Sequence, residues 1–173
     1  MAHLARTAAR AAWTTTVIIA GIAILGGCSV TKASAPETPQ RAGATGAVTA
    51  SADADVFAIK VGDCLTLRSV DATEVDSMPV VPCGQVHDSE VFAQMTLTGD
   101  TFPGVDSIQA TLDGFCADEF GRFVGLEYGT STLSLNYVYP TEDSWTTGDR
   151  LGQCIVIDPS DGGRTGTMKG AGI

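Results

Sequence analysis

Four residue types that do chemistry fall within eight positions of the stretch VPCGQVHDSEVF: Cys83, His87, Asp88 and Glu90. A thiolate beside an imidazole could serve as nucleophile and base. An imidazole beside carboxylates could hold a metal or move protons. The spacing argues against both. In an extended chain successive side chains face opposite ways, so His87 and Ser89 share one face while Asp88 and Glu90 share the other. A metal site built from His87 and Glu90 needs a bend between them. A catalytic zinc takes three protein ligands, typically with more than one His, and the chain's other histidine is His3, inside an apparent leader. A hydrolase serine would sit on an elbow such as G-x-S-x-G, which does not occur. No catalytic residue, metal or cofactor is therefore expected. The expected role of the cluster is structural: Cys83 bridged, with His87 and Asp88 satisfying backbone groups where a loop enters a strand. The alternative is an exposed patch in which His87, Asp88 and Glu90 touch a partner.

A second group lies in PTEDSWTTGDR, with Trp145, Asp149 and Arg150. Gly148-Asp149 is a turn signal between two strands. The expected structure is a hairpin loop pinned by a buried Trp145, with an Asp149–Arg150 ion pair. The alternative is a recognition loop for a glycan or peptide.

The compartment decides the thiol chemistry. Residues 1–27 read as a lipoprotein signal peptide. Arg6 and Arg10 precede the apolar run VIIAGIAIL, no acid occurs before Glu37, and Leu25-Gly26-Gly27-Cys28 resembles a lipobox. The run is shorter than the ~20 residues that a spanning helix needs. Cleavage before Cys28 and diacylglyceryl transfer to its thiol would tether the chain by lipid to the extracytoplasmic face of the cell membrane. Four cysteines then remain in an oxidising compartment: Cys64, Cys83, Cys116 and Cys154. Three pairings are open. Cys64–Cys83, clipping neighbouring strands, and Cys116–Cys154, tying a helix to the last strand, are preferred.

The chain carries 10 Lys+Arg and 20 Asp+Glu, a net charge of −10. Loss of Arg6 and Arg10 with the leader takes the net charge to −12. Such a surface repels nucleic acid and anionic head groups. The residue bias, with only three lysines and one asparagine, suggests a GC-rich genome such as an actinobacterium's.

Residues 28–55 hold the lipidated cysteine and a stretch of Ala, Thr, Ser, Gly and Pro, expected to be a flexible linker. Residues 159–173 are expected to form a disordered tail. Its GRTGTMKG is no phosphate loop, because the spacing to Lys169 fails and no Ser or Thr follows it. Residues 56–158 are expected to form one domain. VFAIK, CLTL, MPVVPC and EVFAQMTL read as strands, broken by Val61-Gly62-Asp63, Pro82 and Gly99-Asp100. After Pro103-Gly104, Ile108, Leu112, Phe115, Cys116 and Phe120 make one helical stripe, capped by Asp106 or Ser107 and closed at Gly121 or Gly125. TLSLNYVYP and RLGQCIVID are strands, the first with Leu133, Leu135, Tyr137 and Tyr139 on one face. The fold class is α+β: a mostly antiparallel sheet with one main helix packed on it and two disulfides.

In chain order, Val61-Gly62-Asp63-Cys64-Leu65, Val81-Pro82-Cys83, His87-Asp88, Glu90-Val91, Cys116, Tyr139-Pro140, Trp145, Gly148-Asp149-Arg150 and Cys154 resemble the septum formation domain of actinobacterial membrane proteins and lipoproteins. The likeness covers 61–155. It implies a link to septum formation and brings no catalytic residue, since the matching positions are mostly framework types. The expected function is a non-catalytic interaction domain on a membrane-anchored lipoprotein. Its partner would be an envelope or division protein. The competing classes are a wall-directed hydrolase using Asp88, Glu90 and His87, and a small solute-binding or sensor lipoprotein.

Overall fold

The computed structural model describes residues 36–70 and 74–173. The expected leader at 1–27, the expected lipidation site Cys28 and the first part of the expected linker lie outside the described residues.

Six antiparallel strands form one sheet in the order β1-β3-β2-β4-β6-β5. They are β1 (Ala52–Asp55), β2 (Cys64–Leu65), β3 (Ser77–Val81), β4 (Ser89–Thr96), β5 (Ser134–Val138) and β6 (Leu151–Ile157). The main helix, α1, spans Val105–Val124, and a short helix, α2, spans Glu142–Thr146. This is the expected α+β fold. Both expected disulfides are present, Cys64–Cys83 on β2 and Cys116–Cys154 between α1 and β6.

α1 buries Ile108, Leu112, Cys116, Phe120 and Val124, which is the predicted stripe continued by one turn. Gly104 is the N-cap, one residue ahead of the first helical position. Asp106 therefore falls inside the first turn, where its charge meets the positive end of the helix dipole. Gly125, left-handed at φ 83°, ends the helix. The helix lies close on β6: a Cβ at Gly152 would sit 2.5 Å from Leu112 Cδ2. Any side chain at 152 would force the buried Leu112 to shift.

The two faces of the sheet carry two cores. On the α1 side Phe92, Ala93, Cys154 and Val156 pack with the helix stripe, Leu133, Trp145 and Met168. On the other side Val91, Ile155, Leu65, Met78, Val80, Ile59, Ala54 and Val48 pack together. The register of β4 against β6 shifts between Val91 and Ala93. This bulge lets Phe92 and Ala93, adjacent in sequence, face the same core, which strict alternation forbids. Phe92 meets the ring of Phe120 edge-on at 6.0 Å.

Three expectations are corrected. VFAIK is not a strand: Val56–Ala58 form a 3-10 turn capped by Asp55, whose carboxylate accepts from Phe57 N at 2.8 Å, and the first strand comes earlier, at Ala52–Asp55. The linker is ordered from residue 36 onward. Arg41 donates two bonds to Asp63, at 2.6 and 2.7 Å, and a third to Ala58 O at 2.9 Å, while Val48 is buried in the second core. The end of the chain, expected to be loose, packs. Met168 is fully buried, and Gly170 N and Gly172 N donate to Phe123 O and Val124 O. These last carbonyls of α1 have no intrahelical partner, so the chain end acts as their cap. Composition misses such segments because a few specific anchors, not average hydrophobicity, hold them down.

Candidate functional site

The Cys83–Glu90 stretch leads into β4, and the C-terminal segment runs along it. Gly166 N donates to Cys83 O at 2.6 Å. His87 and Arg164 exchange both backbone bonds, at 2.9 and 2.8 Å. Asp158 N donates to Asp88 O at 2.7 Å. A Cβ on Gly163 would lie 2.6 Å from His87 O, so glycine permits the crossing. Its φ of +57° also favours that residue.

Each polar side chain of the cluster is buried and engaged with the backbone. Asp88 Oδ1 accepts from Leu67 N at 2.8 Å and from Ser89 Oγ at 2.6 Å, and Oδ2 accepts from Arg68 N at 3.1 Å. Asp88 thus ties down the 3-10 turn Leu67–Ser69. Glu90 Oε1 accepts from Thr167 Oγ1 at 2.7 Å, and Oε2 from Met168 N at 2.6 Å. His87 Nδ1 lies 2.9 Å from Gln85 O. A carbonyl only accepts, so Nδ1 donates to it, and Nε2 has no partner in its buried setting.

His87 is 1 % exposed and Glu90 2 %, so the patch alternative is corrected: these side chains do not reach the surface. His87 and Asp88 satisfy backbone groups at a strand entrance, as expected. Cys83 is in a disulfide, which removes the thiolate that a Cys83–His87 nucleophile pair needs. Asp88 and Glu90 serve separate segments and do not converge on a shared cavity.

Trp145 is buried, but on the short helix α2; a plain hairpin loop was expected. Thr141 starts that helix with a capping box, its hydroxyl accepting from Ser144 N while Ser144 Oγ accepts from Thr141 N. The Arg150 guanidinium stacks 3.8 Å from the Trp145 ring centroid and donates to Trp145 O and Gly99 O. The Asp149 carboxylate does not pair with Arg150; it accepts from Ser144 Oγ and Leu151 N. Arg150 meets Asp149 only through the backbone, its guanidinium donating to Asp149 O at 2.7 Å, so the expected ion pair does not form. Trp145, Asp149 and Arg150 therefore brace the corner between β5 and β6.

Two further buried acids gain arginine partners that the sequence did not point to. Asp63, buried in the turn before β2, holds Arg41 and so raises that guanidinium's pKa, the hydrogen bond being the main cause. Asp158 lies at the end of β6. Burial pushes its carboxyl upward, but bonds from Ser160 and then Arg164 outweigh this and hold it below its ordinary value. Nothing local in the sequence marks Arg41 as the partner of Asp63, 22 residues away, whereas Arg164 closes a short loop onto Asp158, 6 residues back.

An open groove lies elsewhere. A groove of about 1260 Å³ follows β5 and the adjoining face of β6. Val138, Leu151, Ile155 and Ile157 give it an apolar floor, and Glu74, Asp76, Glu142 and Asp143 stand around it. Among the described residues no group of three or more His, Cys, Asp or Glu could hold a metal ion, and no helix is long and apolar enough to cross a membrane.

The septum formation family model matches residues 25–164 of the chain. The chain belongs to the septum formation family. The match starts just before Cys28 and takes in the Cys83–Glu90 cluster, both disulfides, α1, α2 and the groove floor. It stops short of Thr167 and Met168, the partners of Glu90. No curated protein and no solved structure gives a significant match. Membership of the septum formation family connects the chain to cell division or the cell envelope.

Proposed function

We propose that this septum formation protein is an extracytoplasmic lipoprotein, anchored to the cell membrane by lipid on Cys28. Its folded domain is a non-catalytic module that binds a protein of the division or envelope machinery. Nucleic acid is no partner for so acidic a chain, with 20 Asp+Glu against 10 Lys+Arg. The observation that carries the reading is the contrast between engaged acids and an open, unengaged surface. The chemically suggestive acids, Asp88 and Glu90, are engaged by backbone donors, while an open groove with unengaged side chains lies along β5. Recognition by a rigid scaffold needs such a surface and needs no activated residue.

The test is photo-cross-linking in living cells from Asn136, an exposed groove residue, with Val86, 62 % exposed and not lining the groove, as the control position. Capture of a division or envelope polypeptide from Asn136 and not from Val86 is the expected result. No specific capture from Asn136 sinks the binding-module reading. Release of soluble fragments from purified cell wall, lost on Glu90→Gln, would replace it with the hydrolase. Metabolic labelling with a fatty acid, lost on Cys28→Ala, tests the anchor separately.

A further inference from the structure

β5 is an outer strand of the sheet, with β6 as its sheet neighbour. Outer strands offer unpaired backbone groups to any chain that can reach them. At the middle of β5, Tyr137 N donates to Asn136 Oδ1 at 2.8 Å, so a side chain stands in for a partner strand there. Tyr137 and Tyr139 line the groove as well, which places this edge within it. At its margins Phe57 is 62 % exposed and Val105 42 %. Two large apolar side chains left in water beside an apolar floor mark a contact surface.

The charge around the groove has one sign. Seven of the lining residues are acids and one is an arginine. Arg68 is not free, because its guanidinium donates to the carbonyls of Asp158, Ser160 and Asp161. Asp88, Asp149 and Asp158 are engaged as described. Glu74, Asp76, Glu142 and Asp143 are exposed, and their carboxylates have no hydrogen-bond or ion-pair partner among the described residues.

We propose that this groove takes an extended polypeptide segment in which apolar side chains alternate with lysines or arginines. The proposal rests on the binding-module reading and names the partner's chemistry. In a strand added at β5, alternate side chains face opposite ways. The apolar set reaches the partly exposed Val138, Leu151 and Ile157, while the cationic ends meet the four free carboxylates that stand around the groove. A second copy of this chain is a poor occupant, since a self-complementary contact brings like acids together.

The experiment titrates the full chain with a short synthetic peptide of alternating lysine and valine, and in parallel with one of alternating glutamate and valine. Binding is read by fluorescence anisotropy at low and moderate salt. The expected result is binding of the lysine peptide alone, weakened by salt. The combined variant Glu74→Gln, Asp76→Asn, Glu142→Gln and Asp143→Asn should bind roughly tenfold more weakly. All four residues are exposed, so its melting temperature should match the parent's, and that measurement guards against misfolding. Equal binding of the glutamate peptide, or unchanged affinity in the variant, overturns the proposal. So does a dimer, seen by sedimentation, that the lysine peptide fails to dissociate. Capture from Asn136 of a segment without basic residues also overturns it, yet leaves the binding module standing. Loss of all specific capture from Asn136 removes the module itself.

Discussion

Glu90, on the second residue of β4, holds the backbone N–H of Met168 at 2.6 Å, although 78 residues separate them. The same carboxylate takes the hydroxyl of Thr167. The end of the chain is thus clamped to the middle of the sheet, and Met168 completes the core beneath α1.

Glu90→Ala should leave the buried Met168 N–H without its acceptor and cost ~1–3 kcal/mol. Met168→Ala should cost ~2–5 kcal/mol, because the fully buried side chain leaves a cavity. Urea unfolding gives both values. Hydrogen exchange should show early loss of protection at Met168 and Gly170 in the Glu90 variant, ahead of β4 and β6. Uniform loss would mean that the clamp and the sheet open as one unit.

Gly163→Ala should destabilise the chain by more than the ~1 kcal/mol that left-handed backbone costs an alanine. The added Cβ would meet His87 O at 2.6 Å, inside any tolerated contact. Gly162→Ala, where a Cβ meets nothing within 4 Å, is the matched control and should change stability little. Thermal melts of the two variants check the contrast.

The two disulfides should differ in weight. Cys64–Cys83 closes 19 residues and Cys116–Cys154 closes 38. Chain-entropy reasoning gives ~3 kcal/mol for the shorter loop and ~4 kcal/mol for the longer. Replacing Cys116 and Cys154 with alanines should lower the urea midpoint more than replacing Cys64 and Cys83. The reverse order would mean that clipping β2 matters more than loop length.

The Tyr137 phenol should titrate late. Burial first, and then the bond from its hydroxyl to Asp113 Oδ1 at 2.9 Å, push its pKa from 10.0 up to about 12. A pKa raised on folding means that the contribution is complete below 10 and is lost as pH rises toward about 12. Ultraviolet titration of the parent against Tyr137→Phe isolates this group, and Asp113→Asn should bring its pKa down. Alkaline unfolding should be less steep in the Tyr137→Phe variant across the same window.

Much of the fold was legible because its causes are local. The stripe from Ile108 to Phe120 needs only helical periodicity, and the inward face of Leu133, Leu135, Tyr137 and Tyr139 needs only strand alternation. α2 escaped notice because five residues offer too little periodicity; its trace was the capping pair Thr141 and Ser144. β1 escaped because ADAD is polar, and its pairing with β3 is what makes it a strand.

The sequence by itself determined the fold class, the helix, most of the strands and the even set of four thiols that two bridges could join. It also indicated that the Cys83–Glu90 cluster is framework, since alternation separates its side chains. Only the tertiary structure decided that the end of the chain packs on the fold and sends Met168 into the core, that Glu90 faces Met168, and that an acidic groove follows β5. Those are contacts between residues far apart in the chain. Their energy comes from burial and hydrogen bonds that exist only once the sheet has formed, so no local pattern records them.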